Sequence, residues 1–202
     1  MVHPHAMLPR VLVNTQGAAS GFPGSLAVRP EFLADFMARH GLTGEIRGRP
    51  CARLRVLEVC EENGARLEAV ERLGYRGFIV KEPPAGFAEA VLKVRELWRA
   101  RKRDCAHDDE AVQHAIVVLE QCIALVGRDA ACELFFAEER EFWMFRNRAG
   151  RVQKRRQDQL GLGWANHDHH TYRCSRQYFP DLVKFMEMLG LEKRERFYAG
   201  AE

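Results

Sequence analysis

From Phe87 onward the apolar positions settle into long helical periods. Phe87, Val91, Val94, Leu97 and Trp98 recur at intervals of three and four, while Lys93, Arg95, Arg99 and Arg101 take the other side. That is an amphipathic helix with one buried stripe. The acids Asp108-Asp109-Glu110 then stand where a helix N-terminus favours negative charge. Val112, Ile116, Leu119, Ile123 and Val126 form the stripe of this second helix, which Gly127 stops. A third helix is expected from about Asp129 through Trp143 and beyond.

The pattern ahead of Phe87 is more broken. Residues 1–30 combine His3, His5, five glycines or prolines from Gly17 on, and a single apolar run, Val11-Leu12-Val13, as a candidate strand. A poorly ordered arm with solvated histidines is expected there. Pro30, Phe32-Leu33 and Phe36-Met37 suit a short amphipathic helix ending at Gly41. Leu54 to Val59 suggest a second short element, and Leu67, Val70 and Leu73 stand at helical spacing before Gly74. Gly77-Phe78-Ile79-Val80 reads as a short strand, and Pro83-Pro84 as the clearest boundary in the chain. The expected organisation is an arm over 1–30, a helical region over 31–160 and a smaller α/β unit over 164–202.

Composition narrows the class without naming a function. A chain of 202 residues with 47% hydrophobic content holds one sizeable core or two small ones. Lys+Arg 31 against Asp+Glu 28 gives a net charge of +3, so composition alone does not call for a nucleic-acid partner. The six cysteines are scattered without a C-x-x-C pair, the usage of reduced thiols; Cys174, beside the histidines, is expected as a small buried hydrophobe. No apolar run approaches the roughly 18 residues of a membrane span, and Met1 to Arg10 lacks a secretion-signal core, so a cytoplasmic protein with no membrane partner is expected.

Charge clusters in two places. Glu138, Glu139 and Glu141 are followed by Arg146 and Arg148, the composition of a solvated charged face rather than of a carboxylate metal site. Arg146, Arg148, Arg151, Lys154, Arg155 and Arg156 then occur with no acid between Glu141 and Asp158, and Trp143 and Phe145 adjoin them. On a helix Arg148, Arg151 and Arg155 line one side, where each would neutralise a phosphate. No base-reading motif accompanies them. A plain basic surface, or a contact with an anionic substrate in which Lys154 and Arg156 matter, is expected ahead of nucleic acid; the alternative is an interaction protein whose basic face binds an acidic partner or nucleic acid.

The densest chemistry lies in Asn166-His167-Asp168-His169-His170-Thr171-Tyr172-Arg173, which holds three of the eight histidines. As a strand, its period of two puts His167, His169, Thr171 and Arg173 on one face, so two imidazoles share a side as a metal site requires. The alternative is a polar strand edge with Asp168 bonded to local backbone. An apolar helix face of Leu182, Val183, Phe185, Met186 and Leu189 follows, with Pro180 suited to its first turn and Gly190 to its end. His114, alone beside the stripe of its helix, reads as a hydrogen-bonded boundary residue.

Asp168-His169-His170-Thr171-Tyr172-Arg173, the helix end Met188-Leu189-Gly190-Leu191 and Glu195-Arg196-Phe197-Tyr198 together resemble the opening β-α-β of a vicinal oxygen chelate module, the glyoxalase and extradiol dioxygenase superfamily. Within it they are most similar to the 2-oxoadipate dioxygenase/decarboxylase branch, over about residues 166–202. The resemblance implies an α+β protein, a mainly helical N-terminal region followed by a partial vicinal-oxygen-chelate β-α-β. It implies a metal-dependent dioxygenase or related enzyme acting on a small 2-oxo acid. His169 maps onto a metal ligand, while His167 and His170 are histidines the family pattern lacks; on the strand face shared with His169, His167 is expected as a helper ligand and Arg173 as the partner of a substrate carboxylate, with a divalent metal, Fe(II) foremost, as cofactor. The family's remaining ligands, a second histidine and a glutamate, come from later strands. A longer parent chain, or a second copy in a homo-oligomer, is expected to complete the site.

Overall fold

The computed structural model describes residues 25–63, 65–164 and 171–195. The elements run β1 (Ser25–Val28), α1 (Leu33–His40), β2 (Leu54–Glu62), β3 (Ala65–Arg72), α2 (Phe87–Ala100), α3 (Asp108–Val126), α4 (Arg128–Arg146), α5 (Arg148–Asp158), a 3-10 turn (Arg176–Tyr178) and α6 (Phe179–Met188). The protein is α+β, a helical majority beside a small mixed sheet of order β1-β3-β2.

The sheet overturns part of the sequence reading. Ser25–Val28, expected in the arm, pair in parallel with β3, and Pro30 is fully buried. Leu67 and Val70, expected at helical spacing, lie in β3, antiparallel to β2. The two strands obey a period of two: Leu57 and Ala69 face α1 and meet Leu33, while Leu54, Val56 and Val70 turn to the other side, over Tyr75 and Val80. Both faces of β3 are therefore partly covered, which mixes the two periods in its sequence. Gly77–Val80 form no strand; Arg72 Nη1 instead donates to the carbonyls of Tyr75 (2.9 Å) and Gly77 (2.6 Å). Val11–Val13, His3 and His5 lie outside the described residues.

A carboxylate fastens α1 to the sheet. The Leu33 N–H donates to Glu71 Oε2 (3.0 Å), and Glu71 in turn receives Arg55 Nη1 on both oxygens. The helix ends at Gly41, whose φ of 61° is the left-handed stop the sequence places there.

The main core is helical, as the apolar stripes require. Trp98, Leu119 and Leu134, each at most 1% exposed, come together from α2, α3 and α4. Phe135 is the centre of an aromatic cluster, with ring centroids 5.0 Å from Trp98 and 5.1 Å from Phe185 of α6. Phe185 and Leu189 thus belong to the same core as α2 to α4. Thr171–Cys174, the described end of the expected histidine strand, carry no strand pairing. Tyr172 instead turns into the core and stacks at 6.4 Å on Phe135. Glu195, the described start of the other expected strand, is likewise outside any strand, and Arg196–Tyr198 lie outside the described residues. Cys174 is exposed rather than buried, since the chain there leaves the core for the surface.

Candidate anion-binding surface

The site begins with two glutamates that were expected in solvent. Glu138 and Glu139 are each 4% exposed, because they follow Leu134 and Phe135 at i+4 and so continue the buried stripe of α4. Four arginines from α2 and its C-terminal extension compensate them. Arg95 Nη1 and Arg99 Nε reach Glu138 at 2.8 and 2.7 Å. Arg101 Nη2 and Arg103 Nη2 reach Glu139 Oε1 at 2.7 and 2.6 Å, and the Trp143 indole N–H donates to its Oε2 at 3.3 Å. Burial alone would raise the Glu139 pKa, but the bonds from Arg103 and the charges of Arg101 and Arg103 outweigh it and hold the carboxyl below its ordinary range.

The basic character continues outward from this network. The Arg103 guanidinium lies 3.6 Å from the Phe142 ring centroid, as does that of Arg146. Beyond Arg146 the chain turns on Asn147, whose extended backbone ends α4 and whose Oδ1 accepts from Gly150 N–H (3.1 Å) to cap α5. Two arginines close the exposed carbonyls at the end of α4: Arg146 Nη1 donates to Phe142 O (3.0 Å) and Arg151 Nη1 to Phe145 O (2.7 Å).

Helix α5 presents the expected trio, Arg148, Arg151 and Arg155, on its exposed side together with Arg156. Their situations differ. Arg151 is used in part as a cap for α4, whereas Arg148, Arg155 and Arg156 have no carboxylate partner among the described residues. Lys154 is different again: it faces inward and meets Asp158 and, at 3.9 Å, Glu31. Its charge is matched inside the fold, so it is no anion-contact residue. Arg148 and Arg156 line an open trough of about 790 Å³ with Asn147, Gln153, Val152 and Trp164. Exposed Trp143 (56%) and Phe145 (63%) stand at the end of α4 beside it in sequence.

The inner side of α5 and the loop after it are fixed to α1, which keeps the arginines outward. Gln157 is buried, Glu31 N–H donates to Leu162 O (2.9 Å), and Trp164 N–H donates to Glu31 Oε2 (2.8 Å). Gly163, at φ 57°, passes so near Glu31 that an added Cβ would lie 2.4 Å from its Oε2.

The histidine reading falls elsewhere. His167, His169 and His170 lie outside the described residues, so their geometry has no place here. Arg173 is exposed and forms no ion pair among the described residues. Its neighbour Tyr172 is pushed to higher pKa, first by burial and then by the Glu139 charge. His114 accepts from the Lys102 N–H (3.3 Å), the boundary role expected of it. Among the described residues no three His, Cys, Asp or Glu side chains group in a way that would hold a metal ion, and no helix is long and apolar enough to cross a membrane.

Sequence reasoning missed Arg95, Arg99, Arg101 and Arg103 as partners of the α4 glutamates. The signal was the i+4 step from Leu134 and Phe135, which already put Glu138 and Glu139 on the apolar side. Comparison of the chain with protein-family models, with curated proteins and with solved structures finds no match.

Proposed function

We propose that the α4–α5 corner is a binding face for a polyanion and that this chain is an interaction protein acting through it. One observation carries the reading: Arg148, Arg155 and Arg156 project from one short helix with no carboxylate partner among the described residues, while Lys154 on its inner side has two. A fold that matches its inward cation and leaves its outward ones uncompensated keeps a positive field on one face. Each guanidinium offers planar donors suited to phosphate or carboxylate oxygens. The test is binding of a fluorescent oligonucleotide against salt. With about three phosphates neutralised, affinity should fall roughly ten-fold or more between 50 and 200 mM salt. The triple variant R148Q/R155Q/R156Q should lose most of the binding and most of the slope. No binding at low salt, or an unchanged triple variant, would overturn the proposal.

A second reading rests on the sequence resemblance of residues 166–202. The segment after the histidine run is anchored on Phe135, and α6 begins with Pro180 in its first turn and closes at Gly190 with φ 87°, as the helix of the resembled β-α-β would. On that reading the parent protein is a metal-dependent dioxygenase or related enzyme acting on a small 2-oxo acid. His169 and His167 would hold Fe(II), which would supply a Lewis-acidic centre with open positions, and Arg173 would orient a substrate carboxylate. Metal analysis of the purified protein and of His169→Ala tests it. Equal, negligible iron, manganese and zinc in both would dismiss a site in this chain.

A further inference from the structure

We infer that the polyanion is single-stranded nucleic acid, with a base stacked on the Trp143 indole and neighbouring phosphates on Arg146 and the α5 arginines. This rests on the polyanion-binding reading above and adds the part of the ligand that is not charge. Trp143 is 56% exposed, yet it does not hang loose, for its indole N–H donates to Glu139 Oε2, and Arg101 and Arg103 hold that carboxylate in turn. The polar edge of the ring is therefore satisfied inward while the residue as a whole stays more than half exposed. A ring already fixed in place loses little conformational entropy when a base covers it.

The neighbouring aromatics sharpen the assignment. At about 100° per residue, Trp143, Arg146, Phe142 and Phe145 occupy one arc of about 160° around α4. Phe142 is already flanked by Arg103 and Arg146 at 3.6 Å each, so it is not a platform. Phe145 is 63% exposed, and its backbone carbonyl accepts from Arg151 Nη1 of α5. Trp143 lies about 60° around the helix from Arg146, whereas Phe145 is at the far end of the arc, so the match is to one unstacked base on Trp143 with a phosphate on Arg146 beside it. A duplex keeps its bases stacked on one another, and polyphosphate or an acidic peptide has no base to offer. The arginines serve all four ligands alike, and the Trp143 ring serves the single strand alone.

The experiment compares four probes on the whole chain: oligothymidine, a duplex of equal charge, inorganic polyphosphate and poly-glutamate. Oligothymidine should bind tightest and quench tryptophan fluorescence, a quench that disappears in Trp143→Phe. Trp143→Ala should weaken oligothymidine about five-fold or more and leave polyphosphate affinity unchanged. Trp143→Phe, which keeps a ring, should retain most of the affinity and so separates stacking from a folding defect. Equal affinity for oligothymidine and any other probe, or a Trp143→Ala variant that binds oligothymidine normally, overturns the inference while leaving the polyanion face standing. Failure of all four probes removes both.

Discussion

Arg103 and Arg146 share one aromatic ring. Each guanidinium carbon lies 3.6 Å from the Phe142 centroid, and two groups cannot occupy the same face at that height, so the ring separates two cations. Arg103 also grips Glu139, and Arg146 caps α4, so Phe142 joins the internal charge network to the outer corner. Phe142→Ala should cost about 2 kcal/mol by denaturant unfolding, from lost ring contacts on both sides. Phe142→Tyr, which keeps the π face, should cost less than half of that.

Glu139→Gln removes the charge that holds Arg101 and Arg103 together in the interior. Breaking one side of a buried pair leaves the other uncompensated, and a loss of about 3–5 kcal/mol is expected. Arg148→Gln, at the open surface, should stay within about 0.5 kcal/mol of the parent. Urea titrations of the two variants measure the contrast, and similar midpoints would contradict the buried assignment.

The same carboxylate gives stability a pH dependence of known sign. Its folded pKa is depressed, so the unfolded chain binds the proton more readily. The contribution is full above the ordinary glutamate range and is lost as pH falls below it toward the folded value. Thermal unfolding from pH 7 to pH 3 should show a falling midpoint, and the fall should be shallower in Glu139→Gln.

The thiols should divide by burial. Cys122 is pushed up to about 11 by burial, and Cys132 likewise to about 11, with Glu133 and Asp129 adding to it. At pH 8 both are thiols rather than thiolates and should resist alkylation in the folded protein. Cys60 and Cys174 are exposed and should label first, as peptide mass mapping would show.

Two left-handed glycines should respond unequally to alanine. An added Cβ at Gly41 meets nothing within 4 Å, leaving the backbone strain alone, about 1 kcal/mol. At Gly163 the Cβ would also fall 2.7 Å from the Glu31 Cβ, which cannot swing away, so roughly 2–3 kcal/mol is expected. Thermal midpoints of the two variants check the ranking.

The sequence made the helices from Phe87 to Val126 legible because one side of each is apolar throughout, as Val91, Val94 and Trp98 show. The sheet was harder. Leu67, Val70 and Leu73 imitate a helical period because β3 is central and buries residues toward both sides. The missed clue was in the sequence: Asn63-Gly64 stands between Glu62 and Ala65, which pair across β2 and β3, and Asn-Gly is the dipeptide most favoured between two antiparallel strands. At the candidate face, the spacing of Arg148, Arg151 and Arg155 showed which side of α5 is basic. It did not show that Arg151 closes the end of α4 or that Lys154 points inward, since both depend on contacts distant in sequence or across a helix end.

The parallel pairing of β1 with β3 sets an order of events during synthesis. Ser25 pairs with Arg66, 41 positions later, whereas the Glu62–Ala65 pair that joins β2 to β3 spans only three positions. At roughly 5–20 residues per second, β1 leaves the ribosome a few seconds before β3, its partner among the described residues, exists. The hairpin can close in microseconds once it has emerged, so the strand made first is the one that waits, its edge open to chaperones or to neighbouring chains until β3 arrives.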